Sequence, residues 1–156
     1  MRRAEREIKE PERIVGILQA SQILRLGLVE AGSAYIVPVN FGCEQTPNGL
    51  FLYVHGASAG RKAAILRQDS RVSFEADIFL GVKEHETGCG FTALYQSVMG
   101  EGRAELLTDP GEKTAALTRI MAHYGYPAPP PFAAAGVAAA AVYRIRAEWL
   151  TGKENR

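Results

Sequence analysis

Apolar positions along this chain follow two periods, and each change of period marks an element. Glu10-Pro11-Glu12 puts acid and proline in a first helical turn, and Ile14, Val15, Ile17 and Leu18 follow at helical spacing. The pattern predicts a short helix over residues 10–20. Leu24 to Glu30 reads as a strand, Ala31-Gly32-Ser33 as a tight connection, and Ala34 to Gly42 as the returning strand. Pro38 cannot donate to a ladder, so it predicts an edge or a bulge in that strand. Thr46-Pro47-Asn48-Gly49 is a turn signal ahead of a third strand over 50–55.

A helix is predicted over about 61–68, and Arg71 to Ala76 alternates as a strand through Val72, Phe74 and Ala76. Residues 77–90, with Gly81, Gly88 and Gly90, read as a loop or a broken strand. Phe91 to Leu107 is a long extended run expected to bend at Gly100 and Gly102. Asp109-Pro110 opens a further helix to about Tyr124. Tyr126 to Gly136 carries four prolines and reads as a loop, and Val137 to Trp149 closes as a strand. Six strands joined mostly by short turns predict a mainly β chain. The expected form is an antiparallel sheet closed as a barrel with helices outside, not a doubly wound parallel fold. Neither repeat nor linker divides the chain, so residues 1–156 are expected to form a single domain.

Composition narrows the function classes. A hydrophobic fraction of 47% with 22% charge suits a globular chain able to bury a core. A net charge of +1 gives no basic field to hold nucleic acid or an anionic membrane surface. Arg2, Arg3 and Arg6 are interleaved with Glu5 and Glu7, which predicts a solvated, flexible leader over residues 1–9. No apolar run approaches the ~20 residues of a membrane span. The N-terminus lacks the apolar core of a signal peptide. The Ala-rich stretch Phe132 to Val142 is too short and too late for one. Cys43 and Cys89 are then expected to be reduced thiols, and the expected location is the cytoplasm.

The densest chemistry lies in residues 50–62. An apolar strand ends in His55, turns through small residues, and meets Arg61 and Lys62 at a helix start. Such a helix N-terminus presents free N–H groups and the positive end of the dipole. Gly56 and Gly60 let backbone approach an oxyanion, Ser58 adds a hydroxyl, and the two cations add full charge. The favoured ligand is a phosphate group. A plain strand-to-helix turn with two solvated cations is the alternative left open by so short a motif.

Six motifs occur in a fixed order: Arg-Leu-Gly-Leu-Val (25–29), Tyr-Ile-Val-Pro-Val-Asn-Phe (35–41), Leu-Tyr-Val-His-Gly-Ala-x-x-Gly-Arg-Lys (52–62), Arg-Val-Ser-Phe-Glu (71–75), Tyr-x-Ser-Val-x-Gly-x-Gly-Arg-Ala-Glu (95–105) and Leu-Thr-Gly-Lys (150–153). Together they resemble the pyridoxamine 5′-phosphate oxidase-like flavin proteins, within them the nitroimidazole-resistance (Nim-type) branch, over about residues 3–153. The resemblance implies a six-stranded FMN-binding split barrel and a homodimer with FMN in two clefts at the interface. It implies FMN phosphate and ribityl contacts at Ser58, Arg61 and Lys62, and an isoalloxazine lined by Pro38, Val39 and Asn40. Ser97 and Val98 match cofactor-reaching positions and could serve the partner subunit. A flavin ring suits an apolar slot with a few backbone donors and acceptors, and its phosphate suits cations and N–H groups.

The related nitroimidazole reductases carry a histidine near the flavin, where His55 stands. Imidazole is poised to donate a proton near neutral pH, although a contact to the ribityl chain or a turn cap would also account for it. His85 and Cys89, with His123 remote, do not make a metal site, which needs three or four ligands at known spacing. Tyr95 is read as core or as a stack on the flavin edge, and Trp149 as an interface, cofactor or core contact. Pyridoxamine phosphate oxidase itself carries an arginine- and histidine-bearing C-terminal segment that is missing after Trp149, which disfavours vitamin B6 oxidation.

The expectation is an FMN-dependent oxidoreductase that passes electrons from NAD(P)H to a small acceptor such as a nitroaromatic. Any NAD(P)H would share the flavin cleft, because the chain has no separate nicotinamide-binding fold. The alternatives are a flavin- or haem-binding module without efficient turnover, and a deazaflavin (F420) reductase.

Overall fold

The structure, a computed structural model, describes residues 3–156. A 3-10 turn at Ala4–Arg6 precedes β1 (Glu7–Ile8), and the prolined first turn seen in the sequence opens α1 (Pro11–Ala20). A tight hairpin joins β2 (Leu24–Glu30) to β3 (Ser33–Val39), with Ala31 and Gly32 both at positive φ. Then come β4 (Phe41–Thr46), β5 (Gly49–Ala57) and α2 (Arg61–Gln68). Strands β6 (Arg71–Lys83) and β7 (Thr92–Leu106) form a long hairpin. Helices α3 (Pro110–His123) and α4 (Ala134–Ala139) lead into β8 (Ala140–Asn155).

All pairings are antiparallel, in the order β3-β2-β6-β7-β8-β5-β4, with β1 added to β8. The two end strands, β3 and β4, are consecutive in the chain with only Asn40 between them. That link joins the ends of the sheet and makes the mainly β chain a split barrel. Eight strands replace the expected six. The predicted 34–42 strand breaks at Asn40 into two, and Glu7–Ile8 pairs with Lys153 and Gly152. Ile8 is buried, so this part of the expected 1–9 leader belongs to the barrel; Met1 and Arg2 lie outside the described residues.

Period-2 burial fills the barrel. Leu24, Leu26 and Leu28 face inward with Leu52, Val54, Val72, Phe74 and Ile145, and the apolar stripes of α1 and α2 pack against them. Pro38 sits on the edge strand β3, as its missing N–H requires. Gly102 lies where β7 shifts register against β8, and a Cβ there would be 2.1 Å from the Arg146 carbonyl oxygen. The predicted bend thus sits at a glycine no side chain could replace.

Three boundaries differ from expectation. Strand β6 continues through 77–83, past a bulge at Phe79/Gly81 where Gly81 takes φ +133°. The sequence read a loop to Gly136 and a strand from Val137, yet residues 134–139 are helical. Strand β8 begins only at Ala140 and runs past Trp149 to Asn155.

Helix α3 covers the outer face of β4, β5 and β8, burying Tyr53, Leu107, Ala116, Ile120 and Val142 in a second, smaller core. Its Asp109 cap accepts from the Glu112 N–H at 2.8 Å. No helix among the described residues is long and apolar enough to cross a membrane.

Candidate functional site

Topology brings one group of sequence-selected residues to a single place. β4 pairs with β5 up to Phe41↔Val54. One step further along that register, Asn40 comes beside His55. Strand β5 runs on to Ala57 with β8 on only one side, while β3 is an edge strand. The split therefore lies between the edge of β3 and the end of β5, and α2 starts at its mouth.

The His55 backbone turns toward that split. Its β8 neighbour is Val142, whose carbonyl accepts from Leu107 on the opposite side at 2.9 Å. The His55/Val142 pair is thus non-hydrogen-bonded, and His55 directs its own carbonyl away from β8. Lys62 Nζ donates to that carbonyl at 2.9 Å. Gly56 makes room for the lysine, since a Cβ there would lie 2.8 Å from Nζ.

The start of α2 is uncapped. Gly60 takes φ +109°, its backbone provides no side-chain cap, and the first helical bond runs from the Ala64 N–H to the Gly60 carbonyl at 3.0 Å. The N–H groups of Arg61, Lys62 and Ala63 have no helical acceptor. With the Lys62 ammonium beside them, they form a donor set suited to an anion such as a phosphate monoester. That chemistry fits the FMN phosphate implied by the sequence motifs.

Arg61, expected beside the FMN phosphate, makes contacts of its own across the mouth. Its Nε donates to Glu30 Oε2 at 2.8 Å, and its guanidinium lies 4.3 Å from the Tyr35 ring centroid. The β2–β3 hairpin thereby fixes the arginine over the mouth. Sequence reasoning missed Glu30, Tyr35 and Arg67, whose Nη2 donates to the Ser58 carbonyl at 2.6 Å and braces the turn. Only the two-residue hairpin turn hinted at the first two, because it brings both ends of β2–β3 to one point.

Electrostatics at this place is one-sided. Partial burial pulls the His55 pKa below its usual value, and the Lys62 charge pulls it further. Burial lowers the Lys62 pKa as well. An imidazole held less basic than usual beside a half-buried ammonium forms a region that favours incoming negative charge.

The other selected residues divide. Pro38 and Asn40 are exposed along the split, whereas Val39 turns its side chain into the barrel core, as does the fully buried Val98. Ser97 pairs with Lys153 and His55 with Val142, far apart on β8. At ~3.3 Å per residue, that separation is on the order of 35 Å of strand. Within one subunit, Ser97 and Val98 do not join the cluster. His85 Nδ1 lies 3.2 Å from both the Thr87 hydroxyl and the Thr87 backbone nitrogen, a local turn contact. No group of three His, Cys, Asp or Glu residues placed to hold a metal occurs among the described residues. Burial raises the Cys43 thiol to about 11, which leaves it unreactive.

Comparison with known proteins places this geometry. A protein of Bacteroides thetaiotaomicron ascribed to 5-nitroimidazole antibiotic resistance superposes with a TM-score of 0.81 at 28% identity, over 95% of this chain and 86% of that one. A flavocytochrome of Azotobacter vinelandii matches with a TM-score of 0.83 at 23% identity, over 100% and 72% of the two chains. An FAD- and haem-binding protein of Mycobacterium smegmatis matches with a TM-score of 0.85 at 16% identity, over 97% and 74%. No curated protein matches the sequence. The model of the pyridoxamine 5′-phosphate oxidase family matches residues 10–154, nearly the whole barrel with its α2 turn. The chain belongs to the pyridoxamine 5′-phosphate oxidase family.

Proposed function

We propose that this protein binds FMN in the split between β3 and β5, and that it is an FMN-dependent oxidoreductase acting on a small acceptor such as a nitroaromatic. The uncapped N-terminus of α2, with Lys62 folded back on His55 and Arg61 fixed by Glu30, carries this reading. The 28%-identical relative ascribed to 5-nitroimidazole resistance supports the choice of acceptor.

The chain's residues divide the work. The N–H groups of Arg61, Lys62 and Ala63 hold the phosphate together with the Lys62 ammonium and the guanidinium N–H groups of Arg61 that Glu30 leaves free, Ser58 adds a hydroxyl, and Gly56 and Gly60 keep the approach clear of side chains. Pro38 and Asn40 border the ring slot. When bound, the flavin supplies two-electron transfer between a nicotinamide donor and the acceptor. His55 stands at the strand end to donate a proton to the acceptor as it is reduced.

A second subunit completes the cleft. The outer face of β2, β3, β6, β7 and β8 exposes Ile36 (66%), Trp149 (52%) and Met99 (46%), and a cavity of ≈ 530 Å³ lies among them. Isolated apolar residues are ordinary, but an apolar cluster that shares its cavity with the charged Arg25, Glu75 and Glu101 suits a partner. Ser97 stands on the same side of β7 as Met99, which puts it on the face offered to the second subunit. The proposed NAD(P)H donor fits a cytoplasmic enzyme.

The neighbours that carry haem support a second reading, a binding module without efficient turnover. Denaturing the purified protein and identifying what it releases separates the two. Near-stoichiometric FMN, with NAD(P)H-dependent nitroaromatic reduction, is the expected result. Haem with a Soret band, or F420, would overturn the proposal.

A further inference from the structure

A second cavity lies away from the split. It measures ≈ 500 Å³, opens between α3 and α4, and is lined by Thr108, Lys113, Thr114, Phe132, Ala134 and Val137, among others. Lys113 is 8% exposed and is the only buried charged residue among those described. Lysine is almost never buried unless it is paired. Here the ammonium donates to a single acceptor, the Ala138 carbonyl at 3.2 Å. No carboxylate oxygen lies within 4.0 Å of it among the described residues.

An ammonium carries three N–H donors. One neutral carbonyl leaves most of its donor capacity unused, with no carboxylate beside it among the described residues. Capping the short helix α4 explains the Ala138 contact and leaves the remaining N–H donors of Lys113 for whatever enters the cavity it lines. The cavity walls add a second specification. Phe132, Val137 and Ala134 are apolar, and the segment before them carries Pro127, Pro129, Pro130 and Pro131, whose fixed φ angles stiffen that wall. The volume falls within the ~300–1,000 Å³ of ordinary ligand sites.

We propose that this pocket binds a small hydrophobic carboxylate, an aryl or branched aliphatic acid. Its carboxylate meets Lys113 and its body lies on Phe132 and Val137. One cation with two threonines nearby matches a monoanion. A phosphate dianion would call for further cations or a set of backbone N–H groups, as at α2. The site shares no lining residue with the α2 turn, so it stands whether or not a flavin occupies the split.

The test uses phenylacetate and its neutral isostere phenylacetamide, titrated by NMR into the protein as purified. Phenylacetate is expected to bind at least tenfold more tightly than the amide, and Lys113→Met to abolish that preference. Ala134→Phe, at an exposed residue on the pocket wall, is expected to remove binding of both while the protein stays folded. The flavin absorbance should not change during the titration. Equal binding of acid and amide, or wild-type phenylacetate binding by Ala134→Phe, would overturn the proposal. So would an unchanged preference in Lys113→Met, which would leave Lys113 as a cap of α4 alone.

Discussion

Lys62 reaches back over Gly56 to place its ammonium 2.9 Å from the carbonyl oxygen of His55. This contact ties the first turn of α2 to the open end of β5 and concentrates positive charge where helical N–H groups are free. Partial burial disfavours protonation of His55, and the lysine's charge adds to that effect.

The lowered His55 pKa has a signature in stability. Unfolded, the imidazole titrates near 6.5; folded, it takes up its proton only at lower pH. As pH falls from 6.5 through the folded pKa, the unfolded state binds more protons and the fold loses stability. Removing the imidazole should lessen that loss. Thermal midpoints of wild type and His55→Gln should diverge in slope below pH 6.5, and parallel curves would show that His55 is not perturbed.

In the proposed reaction, protonated His55 is the proton donor. Turnover per bound flavin should then fall as pH rises past the lowered pKa. His55→Ala should leave FMN bound and slow that turnover by ~10²-fold or more. Rate per flavin with NAD(P)H and a nitroaromatic is the measurement. An unchanged rate would remove His55 from the chemistry.

The helix α3 docks so closely that position 42 admits no side chain. A Cβ on Gly42 would stand 2.8 Å from the Arg119 backbone carbon and oxygen. Arg119 also pairs with Glu44 at 2.7 Å, and Glu44 accepts from the Tyr53 hydroxyl at 2.9 Å. Gly42→Ala should push α3 outward and cost about 1–3 kcal/mol, an overpacking penalty. At this chain length each kcal/mol lowers Tm by about 2–4 °C. A Tm equal to wild type would show that α3 yields without cost.

The proposed homodimer uses the sheet face that bears Trp149. Light scattering at micromolar concentration should give twice the chain mass, and Trp149→Glu should shift the population to monomer and weaken flavin retention. A wild-type monomer that keeps its flavin would contradict a shared cleft.

Much of this was legible in the sequence, for identifiable reasons. Helix α1 announced itself through Pro11 and its apolar spacing, and α3 through the Asp109-Pro110 cap. The strands β2 and β5 alternate or run apolar because one face fills the barrel. Residues 77–83 hid their strand because Asp77, Phe79, Leu80 and Val82 are exposed and the bulge at Phe79/Gly81 breaks the period. Helix α4 hid because its alanines carry no polar-apolar period, so propensity alone had to speak. At the site, the turn from His55 to Lys62 was readable as local chemistry. Glu30 and Tyr35 were not, because their contact with Arg61 exists only after the β2–β3 hairpin folds onto α2. The buried charge of Lys113 was equally invisible, since its helix position looked like any solvated lysine.

The central claim is that the α2 turn holds the phosphate of FMN. Its most direct test is titration of FMN into flavin-free protein, wild type against the Arg61→Ala/Lys62→Ala variant, followed by flavin fluorescence. Charge-assisted bonds contribute about 1.5–3 kcal/mol each, so affinity should fall by about two orders of magnitude or more. Riboflavin, which lacks the phosphate, should bind both proteins equally weakly. Unchanged FMN affinity in the double variant would contradict the account.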